Sequence, residues 1–235
     1  MVKFATPHCL DCPHRKGPLM GCCQLEELEF ISGAKISQSY QKGQRIFQEG
    51  ISSQGLYCVN QGKIKITKAN GDGKEQIVRL AKGGDVLGFQ SVLTETHYSS
   101  SAVALDDCVV CFIPRSDFFR VWQANNQFST SLVKMMARAL GAAELKLLHL
   151  AYKPVRERLA EALILLVQTY SQEDDTQPFH IAIGRDDLAS MVGTAKETAI
   201  RLLSEFKEAG IISTRGSGIT ILNVSELSQI ASRYD

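Results

Sequence analysis

The residues best suited to chemistry in this chain are cysteines near its beginning. Four of the seven cysteines form two pairs there, Cys9 with Cys12 and Cys22 with Cys23. In a reducing compartment, clustered cysteines indicate metal or redox chemistry more often than structural disulfides. Their thiolates suit a tetrahedral zinc ion or an iron–sulfur cluster. The segment therefore predicts a metal or redox site.

The remaining cysteines and two nearby histidines receive plainer interpretations. His8 and His14 flank the first cysteine pair and could bind a metal, although loop histidines more often bind nothing. Cys58 stands in an apolar, strand-like stretch, where a small buried residue is expected. Cys108 and Cys111 are three residues apart on a strand-like segment, so we expect them on opposite faces and not as a chelating pair.

The composition is that of an ordinary globular protein. The 235 residues are 44% hydrophobic and 22% charged, with a formal net charge of +1. No apolar run approaches the roughly 18 residues that span a bilayer, and residues 1–7 lack the apolar core of a signal peptide. We therefore expect a cytoplasmic protein with no membrane partner. The net charge does not decide on nucleic acid, because DNA binding needs only a local basic patch.

Short strands separated by glycines fill residues 37–114. Lys63–Lys68 alternates strictly between polar and apolar residues, and Gln76–Leu80 and Ala102–Leu105 are also strand-like. Asn70–Gly73 is a strong hairpin signal between the first two of these strands. Many short strands at this spacing predict a compact β-roll.

The periodicity becomes helical from about Asn126 to Leu150. A helix of this length exceeds what a small roll can cover, so its apolar stripe suits a two-fold interface with a second copy of the chain. The residues expected in that interface are Leu132, Met136, Leu140, Ala143 and Leu147. Pro154 then interrupts the pattern, and a further amphipathic helix over Arg156–Tyr170 leads to a polar loop at Ser171–Gln177.

The last part of the chain has the order of elements of a winged helix-turn-helix. The strand-like His180–Ile183 is followed by a helix over Arg185–Val192, a glycine turn and a second helix over Ala195–Ala209, which Thr194 can cap. The residues expected on the buried side of the two helices are Leu188, Val192, Leu202, Leu203 and Phe206. Two strands around a glycine turn, within Ile211–Leu222, would form the wing. A module of this kind places its second helix in the major groove of DNA.

The second helix and the wing carry candidate DNA contacts. These candidates are Thr194, Lys196, Glu197, Ile200, Arg201 and Arg215. At helical spacing Glu197 and Arg201 share a face, where an arginine can pair with guanine and a glutamate can accept from cytosine. Arg215 would contact phosphate. A plainer alternative is that Glu197 and Arg201 form only a surface ion pair, since they are four residues apart.

The predicted fold class is therefore α+β, in four parts. A cysteine-rich segment over residues 1–24 precedes a β-roll over 25–122, which is of the jelly-roll type found in cyclic-nucleotide-binding domains. A dimerisation helix over 123–152 follows the roll. A winged helix-turn-helix over 153–235 completes the chain.

The chain resembles the Crp/Fnr superfamily of transcription regulators over essentially its full length. The resemblance is carried by Gly83–Phe89 in the roll, Val110–Arg115 before the long helix and Glu197–Leu203 in the second reading helix. It implies a homodimer in which Glu197 and Arg201 read palindromic half-sites of the TGA/TCA type. Members vary at the position of Ile200, which leaves the outer base preference open. The resemblance also implies RNA polymerase as a partner.

The resemblance bears on the signal as well. Cyclic-nucleotide-binding members carry a glutamate and an Arg-Ser pair where this chain has Phe89 and Ser100–Ser101. A buried phosphodiester without its arginine is strongly disfavoured, so cyclic AMP is not expected. Fnr-type members instead hold a [4Fe–4S] cluster. By resemblance its ligands would be Cys9, Cys12, Cys23 and Cys111, with Cys22 as the alternative to Cys23.

We therefore expect a regulator that responds to oxygen, nitric oxide or another oxidant, and not an enzyme. A cupin-like enzyme needs several ligating histidines or carboxylates inside its barrel, whereas the strand region holds only His97. Two alternatives stay open. The cysteines could form a zinc site or a thiol switch, or the roll could bind a small organic effector.

Overall fold

The structure, a computed structural model, describes residues 8–171 and 178–232. Residues 1–7 and nearly all of the polar loop expected at Ser171–Gln177 lie outside the described residues. Contacts divide the chain into two compact units. The first consists of Met1–Lys68 with Arg79–Ala142, and the second of Ala69–Val78 with Ala143–Asp235.

The described residues form eight α-helices, eleven strands and two short 3-10 turns. The helices are α1 Leu25–Ala34, α2 Phe89–Leu93, α3 Arg115–Ala124, α4 Asn126–Tyr152, α5 Val155–Tyr170, α6 Arg185–Val192, α7 Lys196–Glu208 and α8 Val224–Ala231. The strands are β1 Ile36–Tyr40, β2 Arg45–Phe47, β3 Gly55–Gln61, β4 Lys63–Ala69, β5 Glu75–Lys82, β6 Val86–Leu87, β7 Ser101–Ala104, β8 Cys108–Pro114, β9 His180–Ala182, β10 Ile212–Arg215 and β11 Gly218–Ile221. The 3-10 turns, Cys9–Asp11 and Met20–Cys22, precede α1.

The predicted β-roll is confirmed as two four-stranded sheets that share a core. Their strand orders are β1-β8-β3-β6 and β2-β7-β4-β5. Apolar side chains of both sheets meet between them, with Ile64 and Val110 among the buried residues. Because side chains alternate along β8, Cys108 points into this core, whereas Cys111 lines a cavity outside it.

A short helix, α3, lies between β8 and the long helix, whereas we expected the strand to lead directly into the long helix. β8 ends at Pro114, and α3 follows at once. Phe118 and Val121 of α3 are buried in a second core cluster together with Leu28 of α1. Asn125 alone separates α3 from α4, so the long helix begins from a short, packed support.

On the long helix α4, one residue expected in the dimer interface is not available to a partner. Leu132 is fully buried with Phe128 in the core of its own protomer, so it offers no free surface to a partner. The apolar residues that α4 does expose along one side are Val133, Met136, Leu140, Ala143 and Leu147. Their alternating spacing of three and four residues is that of a coiled-coil seam. We call these five residues the α4 seam.

The second unit contains the predicted helix-turn-helix. α6 has the predicted bounds, and α7 begins one residue later than expected. Gly193 ends α6 with φ of 69°, a left-handed conformation that glycine adopts without strain. A Cβ on Gly193 would also lie 2.8 Å from Leu150 Cδ2. Thr194 does not cap α7 as we expected, because the cap position belongs to Ala195.

The wing and the buried face of the reading helices also match the prediction. β10 pairs with β11 and β11 with β9, all antiparallel. The residues expected on the buried side are indeed buried, namely Leu188, Val192, Leu202, Leu203 and Phe206. Over the described part of the chain, no helix has both the length and the apolar character needed to span a membrane.

Candidate cysteine site and DNA-reading helix

The cysteine-rich segment is fixed to α1 near both of its ends. Cys9 is buried, and its backbone N–H donates to Ser32 Oγ at 3.1 Å. His8 Nδ1 accepts from the N–H of Leu10 at 3.4 Å and so caps the first 3-10 turn. At the other end, the Glu27 side chain accepts from the N–H at the cap of α1, within a capping box. Residues 8–24 of the segment are therefore an ordered part of the first unit.

One cavity of about 50 Å³ in the first unit is lined by four cysteines. They are Cys9, Cys12, Cys58 and Cys111. Three of the four predicted ligands thus come together at one place. The fourth predicted ligand, Cys23, and its alternative, Cys22, are not among the residues that line the cavity. Like Cys58, they pack against the core cluster that contains Cys9.

Cys58 and Cys111 lie directly opposite each other on neighbouring antiparallel strands. β3 pairs with β8 in the register Cys58↔Cys111, so both side chains project from the same face of the sheet. On its other side Cys111 faces Ser37 of β1, and the Ser37 Oγ atom is 3.4 Å from Cys111 Sγ. Cys58 packs against the core, as expected, and its half-buried side chain also lines the cysteine cavity.

Asn60, two residues after Cys58 on β3, fastens the cysteine-rich segment to the sheet. Its Nδ2 donates to Cys12 Sγ at 3.5 Å, and its carbonyl oxygen lies 3.0 Å from His14 Nε2. The His14 ring packs on Gly83, where a Cβ would be 2.5 Å from Nε2. His14 is therefore held by a hydrogen bond and by packing, unlike the free loop histidine of the plainer interpretation.

The second cysteine pair is tied to the beginning of α4. Cys22 Sγ donates to the carbonyl oxygen of Pro18 at 3.4 Å, and the carbonyl oxygen of Cys22 accepts from Asn125 Nδ2 at 2.9 Å. Ser131 Oγ of α4 also donates to Pro18, at 2.5 Å. The chain between the two cysteine pairs is thus bonded to the residues from which the long helix starts.

Burial raises the pKa of several thiols. It raises the pKa of Cys23 to about 12, with a smaller contribution from a nearby carboxylate. Burial also raises the pKa of Cys58, and the Cys111 sulfur adds to that effect. Inside the roll, burial and Asp106 raise the pKa of Cys108 to about 12. These thiols keep their protons at neutral pH, and a metal ion would have to displace them.

The donor set of the cavity fits an iron–sulfur or zinc site by its chemistry. All four cavity cysteines are free thiols, the ligand type that both groups prefer. Within the part of the chain that the structure describes, no three Cys, His, Asp or Glu side chains converge closely enough to hold a metal ion. For these sulfurs to bind one metal centre together, the cysteine-rich segment would have to shift.

The interior of the roll is occupied by aromatic rings. Phe47 stacks on Tyr57 and on Tyr98, with ring centroids 5.1 Å and 4.5 Å apart. Ser101, at the serine position of the Arg-Ser pair of cyclic-nucleotide binders, is buried, and its Oγ accepts from the N–H of Glu49 at 3.0 Å. The Ser101 oxygen thus already accepts one hydrogen bond within the chain.

The reading helix presents most of its predicted contacts to solvent. Exposed candidates are Lys196, Glu197, Ile200 and Arg201 on α7 and Arg215 on β10, whereas Thr194 is half-buried. The opposite face of α7 is anchored by Phe206, which is fully buried. A rigidly packed helix with one polar exposed face has the form needed to enter a DNA groove.

Two ion pairs hold the basic residues of this face. Arg201 Nη1 lies 2.5 Å from Glu205 Oε1, and Lys196 Nζ lies 2.7 Å from Asp186 Oδ2. The bond to Asp186 raises the pKa of Lys196. Arg201 is therefore paired with Glu205 and not with Glu197, which overturns the plainer alternative for these two residues.

Comparison with known families gives two matches along the chain. A cyclic nucleotide-binding domain matches residues 37–125, and a Crp-like helix-turn-helix domain matches residues 157–230. These ranges correspond to the roll with α3 and to the reading module.

Whole-chain relatives give the same result. The fumarate and nitrate reduction regulatory protein of Vibrio cholerae is 30% identical over 228 residues, which cover 95% of this chain and 90% of the relative. The protein of the same name from Escherichia coli K12 is 28% identical over 226 residues, with the same coverage. The solved structure of FixK2 from Bradyrhizobium japonicum matches with a TM-score of 0.75 and 26% identity, covering 86% of this chain and 99% of FixK2.

The chain belongs to the Crp/Fnr family of transcription regulators. It is a DNA-binding regulator with a winged helix-turn-helix and not an enzyme, as the sequence predicted.

Proposed function

We propose that this chain forms a homodimeric transcription regulator whose DNA binding responds to oxygen or another oxidant through a cysteine-ligated iron–sulfur cluster. The observation that carries this proposal is the cavity that Cys9 and Cys12 share with Cys111. It joins the N-terminal segment to β8, which leads into α3. The relatives named for fumarate and nitrate reduction support a role in anaerobic gene control.

The chain's own residues would provide the ligands and support them. By resemblance the ligands are Cys9, Cys12, Cys111 and Cys23 or Cys22, and the cluster would be [4Fe–4S]. When bound, such a cluster supplies a group that oxygen can oxidise and whose iron nitric oxide can bind. Asn60, which donates to Cys12 Sγ, and Ser37, beside Cys111 Sγ, would stabilise the thiolates by hydrogen bonds, as outer-shell groups commonly do.

The bonds at the beginning of α4 offer a path from the cysteines to the dimer. Pro18, which lies between the two cysteine pairs, accepts a hydrogen bond from Ser131. Cys22, of the second pair, accepts one from Asn125. A shift of the segment that brings the sulfurs together would change these bonds. The support of α4, and with it the geometry of the α4 seam, would then differ between the two states of the site.

Dimerisation would convert a small structural change into a large change in DNA affinity. Two reading helices held one turn of DNA apart bind a palindrome with the avidity of two linked sites, and this avidity is lost in the monomer. In the proposed complex Glu197 and Arg201 read TGA/TCA-type half-sites, and Lys196 and Arg215 contact phosphate. RNA polymerase would be the further partner of the DNA-bound dimer.

The test is to purify the full chain under strict anoxia and measure its absorbance, iron and acid-labile sulfide. Its affinity for a TGA/TCA palindrome is then measured by fluorescence anisotropy before and after exposure to air. Iron with sulfide and an air-sensitive affinity are expected. Zinc without iron would favour the zinc site. An unchanged response in Cys9→Ser and Cys12→Ser variants would favour a small effector in the roll.

A further inference from the structure

We propose that Cys58 is a metal-binding thiol that completes a four-thiolate set with Cys9, Cys12 and Cys111, in place of Cys23. This inference rests on the proposed function, because it assigns the ligands of the same site. It differs from the ligand set that the resemblance implies, and it comes from the positions of the thiols in this chain.

The first support is the pairing of two thiols on rigid strands. Cys58 and Cys111 are directly opposite in the β3–β8 ladder and project from one face. The Cβ atoms of such a cross-strand pair are about 4.5–5.5 Å apart. Both residues are held by neighbouring strands, since β3 pairs with β6 and β8 with β1. Two sulfurs at this separation can contact one metal centre without movement of the sheet.

The second support is the position of Cys12 over the same strand. Its sulfur accepts from Asn60 Nδ2 at 3.5 Å. Asn60 follows Cys58 by two residues on β3, at an irregularity of the β3–β8 register, and both residues line the cysteine cavity. Cys12 is therefore held beside the Cys58–Cys111 pair, and Cys9 belongs to the same 3-10 turn, which Cys12 ends. Closing this turn onto the sheet would bring all four sulfurs together.

The third support is what holds the competing cysteines elsewhere. Cys23 follows the second 3-10 turn and packs against apolar side chains, with its thiol outside the cavity lining. The turn itself is tied down through the bonds of Cys22 to Asn125 and of Pro18 to Ser131. Cys58 lines the cavity together with Cys9, Cys12 and Cys111, whereas Cys23 does not.

The proposal is tested with cobalt(II) as the probe, added anaerobically to the iron-free full chain. Sulfur-to-cobalt charge-transfer absorbance rises with the number of thiolate ligands. We expect a four-thiolate spectrum for the wild type and for Cys23→Ser. In Cys58→Ser, which nearly keeps the size of the side chain, absorbance should fall by about a quarter and cobalt affinity by about tenfold or more.

Two further variants keep the result independent of whether Cys58→Ser folds. The Cys22→Ser/Cys23→Ser double variant leaves Cys58 untouched and should retain the four-thiolate spectrum. Cys108→Ser is the matched control, because it removes a strand cysteine that lies inside the roll. It should leave the spectrum unchanged.

The proposal is overturned if cobalt absorbance is unchanged in Cys58→Ser, or if it falls in the double variant. The cobalt spectrum does not depend on iron or sulfide, so its outcome is separate from that of the proposed function. A wild type that takes up no iron yet shows a Cys58-dependent four-thiolate spectrum would reject the cluster and retain the ligand set.

Discussion

Asn125 Nδ2 donates to the carbonyl oxygen of Cys22 at 2.9 Å, and the same nitrogen lies 2.7 Å from Glu27 Oε2. The other side-chain atom, Oδ1, accepts from the N–H of Phe128 at 2.9 Å, as an N-cap residue does. One side chain therefore connects the cysteine-rich segment, α1 and the first turn of α4. Asn125 is, with Ser131, one of two residues through which a change in the segment would reach the long helix.

Replacement of Asn125 by alanine should weaken the coupling between the state of the cysteine site and dimerisation. Loss of the cap should lower the free energy of unfolding by about 1–2 kcal/mol. Because the bond to Cys22 is lost as well, we expect the difference in DNA affinity between anoxic and air-exposed protein to shrink. Urea unfolding measures the first effect, and fluorescence anisotropy with palindromic DNA measures the second.

Asn223→Ala is the matched control for this variant. Asn223 caps α8 in the second unit by accepting from the N–H of Glu226 at 3.0 Å. Its loss should cost a similar stability and leave the response to air intact. An equal loss of response in both variants would show that Asn125 acts through stability alone.

A charge in the α4 seam should prevent dimerisation. Leu140 is 62% exposed in the protomer, so Leu140→Glu should leave the fold of the single chain intact. In a two-fold seam the substitution would bury two unpaired carboxylates, which is strongly unfavourable. We expect the dimer dissociation constant to rise by about 100-fold or more, a cost of roughly 3 kcal/mol.

Sedimentation velocity at several protein concentrations checks the prediction for the seam. Leu222→Glu is the control, because Leu222 is 53% exposed and lies after the wing, away from α4 in the sequence. If Leu140→Glu still sediments as a dimer at micromolar concentration, the interface lies elsewhere.

Because Arg201 is paired with Glu205, substitutions of these two residues should have opposite effects on DNA binding. Arg201→Ala should weaken binding to the cognate palindrome by about 1–3 kcal/mol, the usual value of one bidentate base contact. Glu205→Gln releases Arg201 from its ion pair and should strengthen binding by about 1.4- to fivefold, since exposed pairs contribute about 0.2–1 kcal/mol.

The control for Glu205→Gln is Glu208→Gln, an equal charge change at the end of the same helix. It reports the general effect of removing one negative charge near DNA. Anisotropy titrations at two salt concentrations separate the two contributions. Equal gains from both variants would mean that Glu205 does not restrain Arg201.

Cys108 predicts a loss of stability at alkaline pH. Burial raises the pKa of Cys108 from 9.0 to about 12 in the folded chain. Between these values the unfolded thiol is ionised while the folded thiol keeps its proton, so the free energy of unfolding falls as pH rises. Cys108→Ala should show a smaller fall between about pH 9 and about pH 12 in urea unfolding. An equal fall in both proteins would contradict the assignment.

The elements that depend on local signals were predictable from the sequence. The bounds of α6 and the turn after it follow from an apolar helical pattern and Gly193, whose left-handed conformation favours glycine. The alternation of Lys63–Lys68 likewise identified β4. In these cases the chain neighbours of a residue decide its conformation, and those neighbours can be read directly.

The features that depend on distant pairing were not predictable in the same way. The role of Cys58 rests on the β3–β8 register, which no local pattern contains. Leu132 belongs to the apolar stripe of α4, but packing within its own protomer determines that this residue is covered and Val133 is not. A helical pattern identifies an apolar face and does not identify what covers it.

The ion pair of Arg201 was predictable only in part from the sequence. Acidic residues stand four positions before and four positions after it, Glu197 and Glu205, so helical spacing alone allows either partner. Arg156, which lies 3.9 Å from Glu205, adds a second cation to the pair at that end. Tertiary packing thus decides a choice that the sequence leaves open.

The chain has one tryptophan, Trp122, and it lies near the end of α3. Its half-buried ring is 6.0 Å from the ring of Phe118, and its carbonyl oxygen accepts from Ser129 Oγ of α4 at 2.6 Å. The only indole fluorophore of the molecule is therefore built into the junction of the two helices. Its emission would report on that junction in the unlabelled protein, without contributions from another indole.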